Sequence, residues 1–200
     1  IATSEGARKI AEKFNVELQD VLTGFKYIGE KIKEFEKGND KTYIFGFEES
    51  YGYLYGTYAR DKDAVVAASM ICEMALYYKT KGMSLYEALL ALYNEYGCFK
   101  ETLMSIELKG KDGQEKISSC IEYLRHSMKT TIGESKIVSK LDYKLSIEKN
   151  LITFKEHAIN LPKSNVLKFI LEDGSWFVVR PSGTEPKMKV YMAVVGRDIE

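Results

Sequence analysis

Two hundred residues suit one large domain or two small ones, and a composition 45% hydrophobic and 29% charged is that of a globular chain. Its 29 basic and 29 acidic side chains cancel, which argues against nucleic acid as the main partner, because such proteins carry a basic surplus. No apolar run approaches the ~18 residues of a membrane-spanning helix, and the three cysteines and two histidines fall in no metal-ligand spacing.

In chain order, Ser4 to Phe14 reads as a short amphipathic helix with Ile10 and Phe14 on one face. Val16 to Val21 is a short extended piece. Thr23-Gly24-Phe25-Lys26 is a turn, and the helix after it carries Tyr27, Ile28, Ile32 and Phe35 until Gly38-Asn39-Asp40 ends it. Tyr43 to Phe47 is a buried-strand candidate that runs into Glu48-Glu49-Ser50-Tyr51-Gly52. Asp63 is an N-cap for a helix over Ala64 to Lys79, apolar on most faces and expected to be buried. Cys72 within it is expected to pack as a small hydrophobe. Ser84 and Glu87 form a capping box for a helix whose inner face is Leu85, Ala88, Leu89, Leu92 and Tyr96.

From about Cys98 the rhythm changes. Thr102 to Lys109 alternates as a strand, and Asp112 to Glu115 reads as a capping-box variant opening a helix with Ile117, Ile121 and Leu124. Short strands follow over Lys136 to Tyr143, Leu145 to Phe154, Val166 to Leu171, Trp176 to Arg180 and Lys187 to Val195, with Asp173-Gly174 as a hairpin turn. The boundary falls near Gly97 to Glu101, between an α/β unit and an α+β module. Both ends look cut. Ile1-Ala2-Thr3 has the character of a strand end and Gly196 to Glu200 that of a first helical turn, so the chain is expected to be a piece of a longer protein.

Four short segments carry chemistry. Arg180-Pro181-Ser182-Gly183-Thr184-Glu185-Pro186 has the parts of an oxyanion cradle: a planar Arg fork, two hydroxyls, and a Gly able to take φ > 0 so that backbone N–H groups converge. It is equally ordinary hairpin-turn chemistry. Glu48 and Ser50 stand just past a strand end, where α/β proteins place ligands, and a carboxylate accepts well from vicinal sugar hydroxyls. A solvated acidic loop has the same composition. Arg60-Asp61-Lys62-Asp63 reads either as a solvated helix start or as two cations pointing back at that loop, Lys62 with a lowered pKa suited to proton transfer. Thr23, Gly24 and Lys26 either present N–H groups and an ammonium to an anion or simply start a helix.

In this order and at these separations, the four segments resemble the third and fourth domains of the α-D-phosphohexomutases, most of all the bacterial phosphoglucomutase/phosphomannomutase branch. The resemblance spans essentially the whole chain. It implies an α/β mixed-sheet sandwich domain over 1–98, followed by a smaller α+β domain (TATA-box-binding-protein-like) over 99–200. It also implies an isomerase that shifts phosphate between C1 and C6 of a hexose through a bisphosphorylated sugar and a phosphoserine enzyme.

By that resemblance Glu48 and Ser50 grip sugar hydroxyls, with Arg60 nearby. Arg180, Ser182, Gly183 and Thr184 hold the phosphate that is not reacting, with Lys189 assisting. Thr23, Gly24 and Lys26 belong to a substrate-choosing loop, and Lys62 is the general acid/base candidate. Some relatives carry a His just after the Glu-x-Ser loop, where this chain has Gly52. The family's serine nucleophile and the Asp-rich loop for its Mg2+ belong to domains not found in this sequence. The chain alone is therefore expected to be inactive, with no metal ligands of its own, and its sheet to have an exposed edge or lack a covering helix. The expected partners are a hexose phosphate and the remaining domains of the same polypeptide, with a glucose or mannose bisphosphate as activator, in the cytoplasm, with no nucleic acid and no membrane. The alternatives are a non-catalytic phosphosugar-binding module and a pentose-phosphate mutase of the same superfamily.

Overall fold

The computed structural model describes residues 1–38, 40–127 and 129–196. The chain divides into two compact units, in the main Thr3–Cys98 and Phe99–Val195. The helix start expected from Gly196 onward lies, beyond that glycine, outside the described residues, as does Asn39 in the turn expected to end the second helix.

The first unit contains α1 (Gly6–Lys13), α2 (Phe25–Gly38), β1 (Phe45–Glu48), β2 (Gly52–Tyr55), α3 (Ala64–Thr80) and α4 (Leu85–Tyr96). Apolar residues at helical spacing give α2 one buried face. Phe25, Ile28 and Ile32 pack on Leu54 of β2, with Val21, Tyr43 and Ala59 at the margin. Tyr43 donates its hydroxyl to the Leu54 carbonyl at 3.0 Å, and burial pushes the phenol up to about 12. β1 and β2 pair antiparallel from Phe45↔Tyr55 to Glu48↔Gly52.

Several expectations for this unit fail. Phe14 is 69% exposed, because α1 ends at Lys13 and the chain turns away. β1 is one half of a two-stranded ribbon rather than a buried strand, so Ile44 and Phe45 stay exposed. α3 has the expected cap, with the Asp63 carboxylate accepting from the N–H groups of Val65 and Val66, yet none of its residues is buried. β2 and α4 pack against it, and two neighbours cannot cover a helix that is apolar on every side. Cys72 is exposed for the same reason. The capping box of α4 forms as expected, but only Ala88 of its apolar residues is buried, with Leu85 and Leu89 exposed.

The second unit contains β3 (Cys98–Glu107), α5 (Lys111–His126), β4 (Thr131–Ile132), β5 (Ser135–Asp142), β6 (Ile147–Asn150), β7 (Glu156–Ala158), β8 (Leu167–Leu171), β9 (Trp176–Pro181) and β10 (Lys187–Gly196). They form an 8-stranded sheet in the order β3-β10-β9-β8-β5-β6-β7, with β4 beside β5. The strand pairs from β10 through β7 are antiparallel. The fold is thus mixed α/β with one large antiparallel sheet. Ile117 and Ile121 of α5 meet Ile137, Leu167, Phe169, Val179 and Met188 in its core. Gly174, with φ 85°, makes the β8–β9 turn.

Two local expectations fail here. α5 is capped by Gly110, with φ 83° and no side-chain bond, so Asp112 sits inside the first turn rather than at the cap. The strand expected over Leu145 to Phe154 stops at Asn150, whose side chain accepts from the N–H groups of Ile152 and Thr153 at 2.9 and 2.7 Å. That Asx turn competes with the ladder and releases the chain into β7. At the far end of α5, Lys140 donates to the carbonyls of Leu124 and Ser127 at 3.0 and 3.4 Å and also to that of Arg125. Burial pulls this ammonium below the usual lysine range.

Candidate functional site

In the first unit the β1–β2 ribbon sets the geometry. Glu48 ends β1 and Gly52 opens β2 directly opposite it, leaving Glu49, Ser50 and Tyr51 as the turn. Tyr51 takes the left-handed position at φ 62°. Ser50 donates its hydroxyl to Glu48 Oε1 at 3.0 Å. Lys62 reaches the same carboxylate, with Nζ 3.8 Å from Glu48 Oε1, and the Glu48 side chain is only 14% exposed. Lys62 Nζ also stands 5.5 Å from the centre of the Phe25 ring, at the first turn of α2. Lys62 therefore joins three of the four sequence segments.

Lys62 is not activated as the sequence suggests. The hydrogen bond to Asp61 Oδ1, at 3.0 Å, holds its ammonium above the ordinary lysine value, and Glu48 adds to this. The expected lowering needs nearby cations and burial, whereas this ammonium has two carboxylate neighbours and an exposed side chain. It stays an ammonium at neutral pH.

Arg60 makes its contacts elsewhere. Its guanidinium donates to Glu36 Oε1 at 2.5 Å, to the Ala59 carbonyl at 3.0 Å and to the Thr57 carbonyl. Its backbone lies against α2 at Gly29, where a Cβ would stand 2.8 Å from the Arg60 carbonyl oxygen. Arg60 ties its loop to α2 and does not join Glu48 and Lys62. Gly24, with φ 124°, makes the turn into α2, and Lys26 lies exposed with Nζ 4.7 Å from the Tyr27 ring centre. Thr23 is half-buried just before that turn.

In the second unit Arg180 of β9 pairs directly with Lys189 of β10. Like charges opposite one another across a ladder are destabilising, and among the described residues no carboxylate lies in ion-pair range of either. The β9–β10 connection is held by Ser182, whose N–H donates to the Lys187 carbonyl at 2.8 Å. Its Oγ accepts from the N–H groups of Thr184 and Glu185 at 3.4 and 3.2 Å. Gly183 does not take a positive φ, so the turn is built by the Ser182 hydroxyl and not by a left-handed glycine. A Cβ on Gly183 would meet nothing within 4 Å. The arrangement offers two cations with no carboxylate partner among the described residues, beside an exposed loop with the Thr184 hydroxyl, chemistry that suits a phosphate oxyanion.

Among the described residues no three His, Cys, Asp or Glu side chains gather as metal ligands. The resemblance places the Mg2+ ligands in other domains, and the side chains at the two loops are hydrogen-bond donors and acceptors. Among the described residues no helix is long and apolar enough to cross a membrane.

Comparison with known proteins agrees with these segments. Residues 1–96 match the family model for phosphoglucomutase/phosphomannomutase, alpha/beta/alpha domain III, and residues 138–195 match that for the phosphoglucomutase/phosphomannomutase C-terminal domain. Phosphoglucomutase from Staphylococcus saprophyticus is 35% identical over 200 residues, covering 100% of this chain and 36% of its own length. That from Staphylococcus haemolyticus is 32% identical over 194 residues, covering 97% of this chain and 35% of its own. The crystal structure of the exocytosis-sensitive phosphoprotein pp63/parafusin, a phosphoglucomutase from Paramecium in its open form, superposes with a TM-score of 0.65 at 17% identity, over 99% of this chain and 33% of that one. The chain thus spans about a third of the length of these proteins. With two models matched in order and relatives aligned along its length, it belongs to the phosphoglucomutase/phosphomannomutase family.

Proposed function

We propose that this chain is the substrate-gripping part of a hexose-phosphate mutase. In this reading Glu48 and Ser50 hold sugar hydroxyls, Arg180, Ser182, Gly183, Thr184 and Lys189 hold the phosphate that is not reacting, and Thr23, Gly24 and Lys26 help choose the sugar. Lys62 handles the proton at the reacting oxygen. The observation that carries the reading is the placement of Lys62, which brings the Glu48 loop and the Phe25 turn around one ammonium. The unneutralised Arg180–Lys189 pair supports the phosphate grip.

The chemistry follows from these groups. The sugar oxygen that gives up its phosphoryl group gains a proton, and the one that receives it loses a proton. Lys62, held protonated by Asp61 and Glu48, supplies the first, and the amine left behind accepts the second. A substrate that reacts at both ends needs grips that work either way round, and hydroxyls with a distal phosphate provide them. Their binding energy orients the other end for transfer. Arg60 acts by fixing the loop that carries Lys62.

The units are read as the family's third domain over 1–98 and its TATA-box-binding-protein-like domain over 99–200, for which a helix against an antiparallel sheet is the support. Glucose and mannose phosphates are the proposed substrates, with Mg2+ and a bisphosphorylated sugar supplied to other domains of the complete cytoplasmic protein. In that protein, Glu48→Gln and Arg180→Ala each lower kcat/KM for glucose 1-phosphate about ten- to a hundredfold, the worth of one hydrogen bond to a charged group. Unaltered kinetics in both would reject the reading. The 200-residue chain by itself turns over no glucose 1-phosphate.

A further inference from the structure

Gly52 is buried in β2, and nothing in the backbone requires a glycine there. Its φ is not in the left-handed region, and the turn's positive φ falls on Tyr51 instead. A glycine inside a strand weakens it, so the position calls for a reason of space. The space is occupied by the neighbouring side chains: a Cβ on Gly52 would lie 2.7 Å from Lys62 Cγ, closer still to Lys62 Cδ, and 2.9 Å from Glu48 Oε1. Both contacts are with flexible side chains and not with backbone. Any side chain at this position therefore displaces Lys62 and Glu48 while leaving the fold able to form.

We infer that Gly52 is the positioning residue for Lys62: its bare Cα is the floor over which the lysine stem crosses β2, so that the ammonium stands between Glu48 and the Phe25 ring. A side chain at position 52 and a lysine at position 62 in this pose exclude one another. The groups that face this ammonium are the Asp61 and Glu48 carboxylates and the Phe25 ring. Of these, Asp61 is adjacent in sequence and travels with the lysine, whereas Glu48 and Phe25 do not. A side chain at 52 separates Lys62 from the latter two. The effect on catalysis rests on the role proposed for Lys62, but the effect on its position does not.

The test uses the complete protein with Gly52→Val, Gly52→Ala and Lys62→Met. Competitive acetylation of Lys62 with acetic anhydride across pH, read by mass spectrometry, reports its position without reference to turnover. Gly52→Val makes Lys62 label about three- to tenfold faster at fixed pH, as expected when loss of a carboxylate neighbour moves a pKa by up to about one unit. The unfolding midpoint stays put, and Gly52→Ala shows the same change on a smaller scale. Unchanged labelling in both folded variants overturns the inference. For turnover, Gly52→Val lowers kcat about tenfold and raises KM as Glu48 shifts, and its effect on kcat largely disappears in the Lys62→Met background, as residues acting through one another do. Additive losses would show that Gly52 acts by another route and would overturn the inference. Full turnover in Lys62→Met would reject the proton-handling role and leave labelling to decide the positioning.

Discussion

α3 and α5 are 17 and 16 residues long and differ in what covers them. α3 is the more apolar helix and buries no residue, with Val65 80% and Leu76 63% exposed. α5 is on balance polar, yet Ile117 and Ile121 are 2% and 1% exposed. The difference lies in patterning. α5 gathers Ile117, Ile121 and Leu124 on one stripe, and β5, β8 and β9 supply a face of matching width. α3 spreads its apolar side chains around the whole circumference, and among the described residues only β2 and α4 pack against it with more than marginal contact. Composition states how much surface a helix would bury; the partners in the fold decide how much it does.

That contrast can be broken by truncation. Ile121→Ala removes a side chain from a closed core and costs about 2–5 kcal/mol. Leu76→Ala, with similar helix propensity at a side chain 63% exposed, changes stability by at most about 0.5 kcal/mol. Urea unfolding of the complete protein's variants measures both, and a Leu76→Ala loss as large as that of Ile121→Ala would show α3 to be covered. Two glycines sharpen the same point at a smaller scale. A Cβ on Gly113 of α5 would run into the Leu108 carbonyl group, its carbon 2.6 Å away, so backbone must move, and Gly113→Ala costs about 1–3 kcal/mol. Gly183→Ala enters open space and stays within about 0.5 kcal/mol. A large loss at Gly183 would mean that the loop is packed and not open to a ligand.

What was legible in the sequence was local. The Asp63 cap, the Ser84–Glu87 box, the Asp173-Gly174 turn and the apolar stripe of α5 are each written within a few residues, and each is present. The exposure of α3 was not legible, because it depends on what neighbours the topology provides. The Arg60–Glu36 contact was not legible either, because the partners stand 24 residues apart on different elements. The direction of the Lys62 shift does have a signal in the sequence, the carboxylate of the adjacent Asp61. The role of Gly52 depends on a side chain crossing from another segment, and no spacing rule expresses that. The Asn150 turn had a signal as well, an Asn side chain free to compete with its own ladder, and it was masked by the apolar residues around it.

The smallest effect concerns the one strong local device α3 possesses. A helix without buried residues depends more on its caps than one that is packed, because packing normally supplies most helical stability. The Asp63 carboxylate is held below the usual range, first by the Tyr58 hydroxyl that donates to it and then by the N–H groups of Val66 and Val65. A depressed carboxylate pKa contributes stability that is present above the unfolded-state pKa and lost as pH falls through the folded-state value. Helix content attributable to α3 therefore holds from neutral pH down to the ordinary carboxylate range and declines below it. Asp63→Ala lowers that content at pH 7 and removes this part of the acid dependence. Amide exchange at Val65 and Val66, followed against pH in both proteins, reads the cap directly. Equal protection of those two amides with and without the Asp63 carboxylate would mean that α3 is held by contacts along its length, which returns the question to its exposed apolar surface.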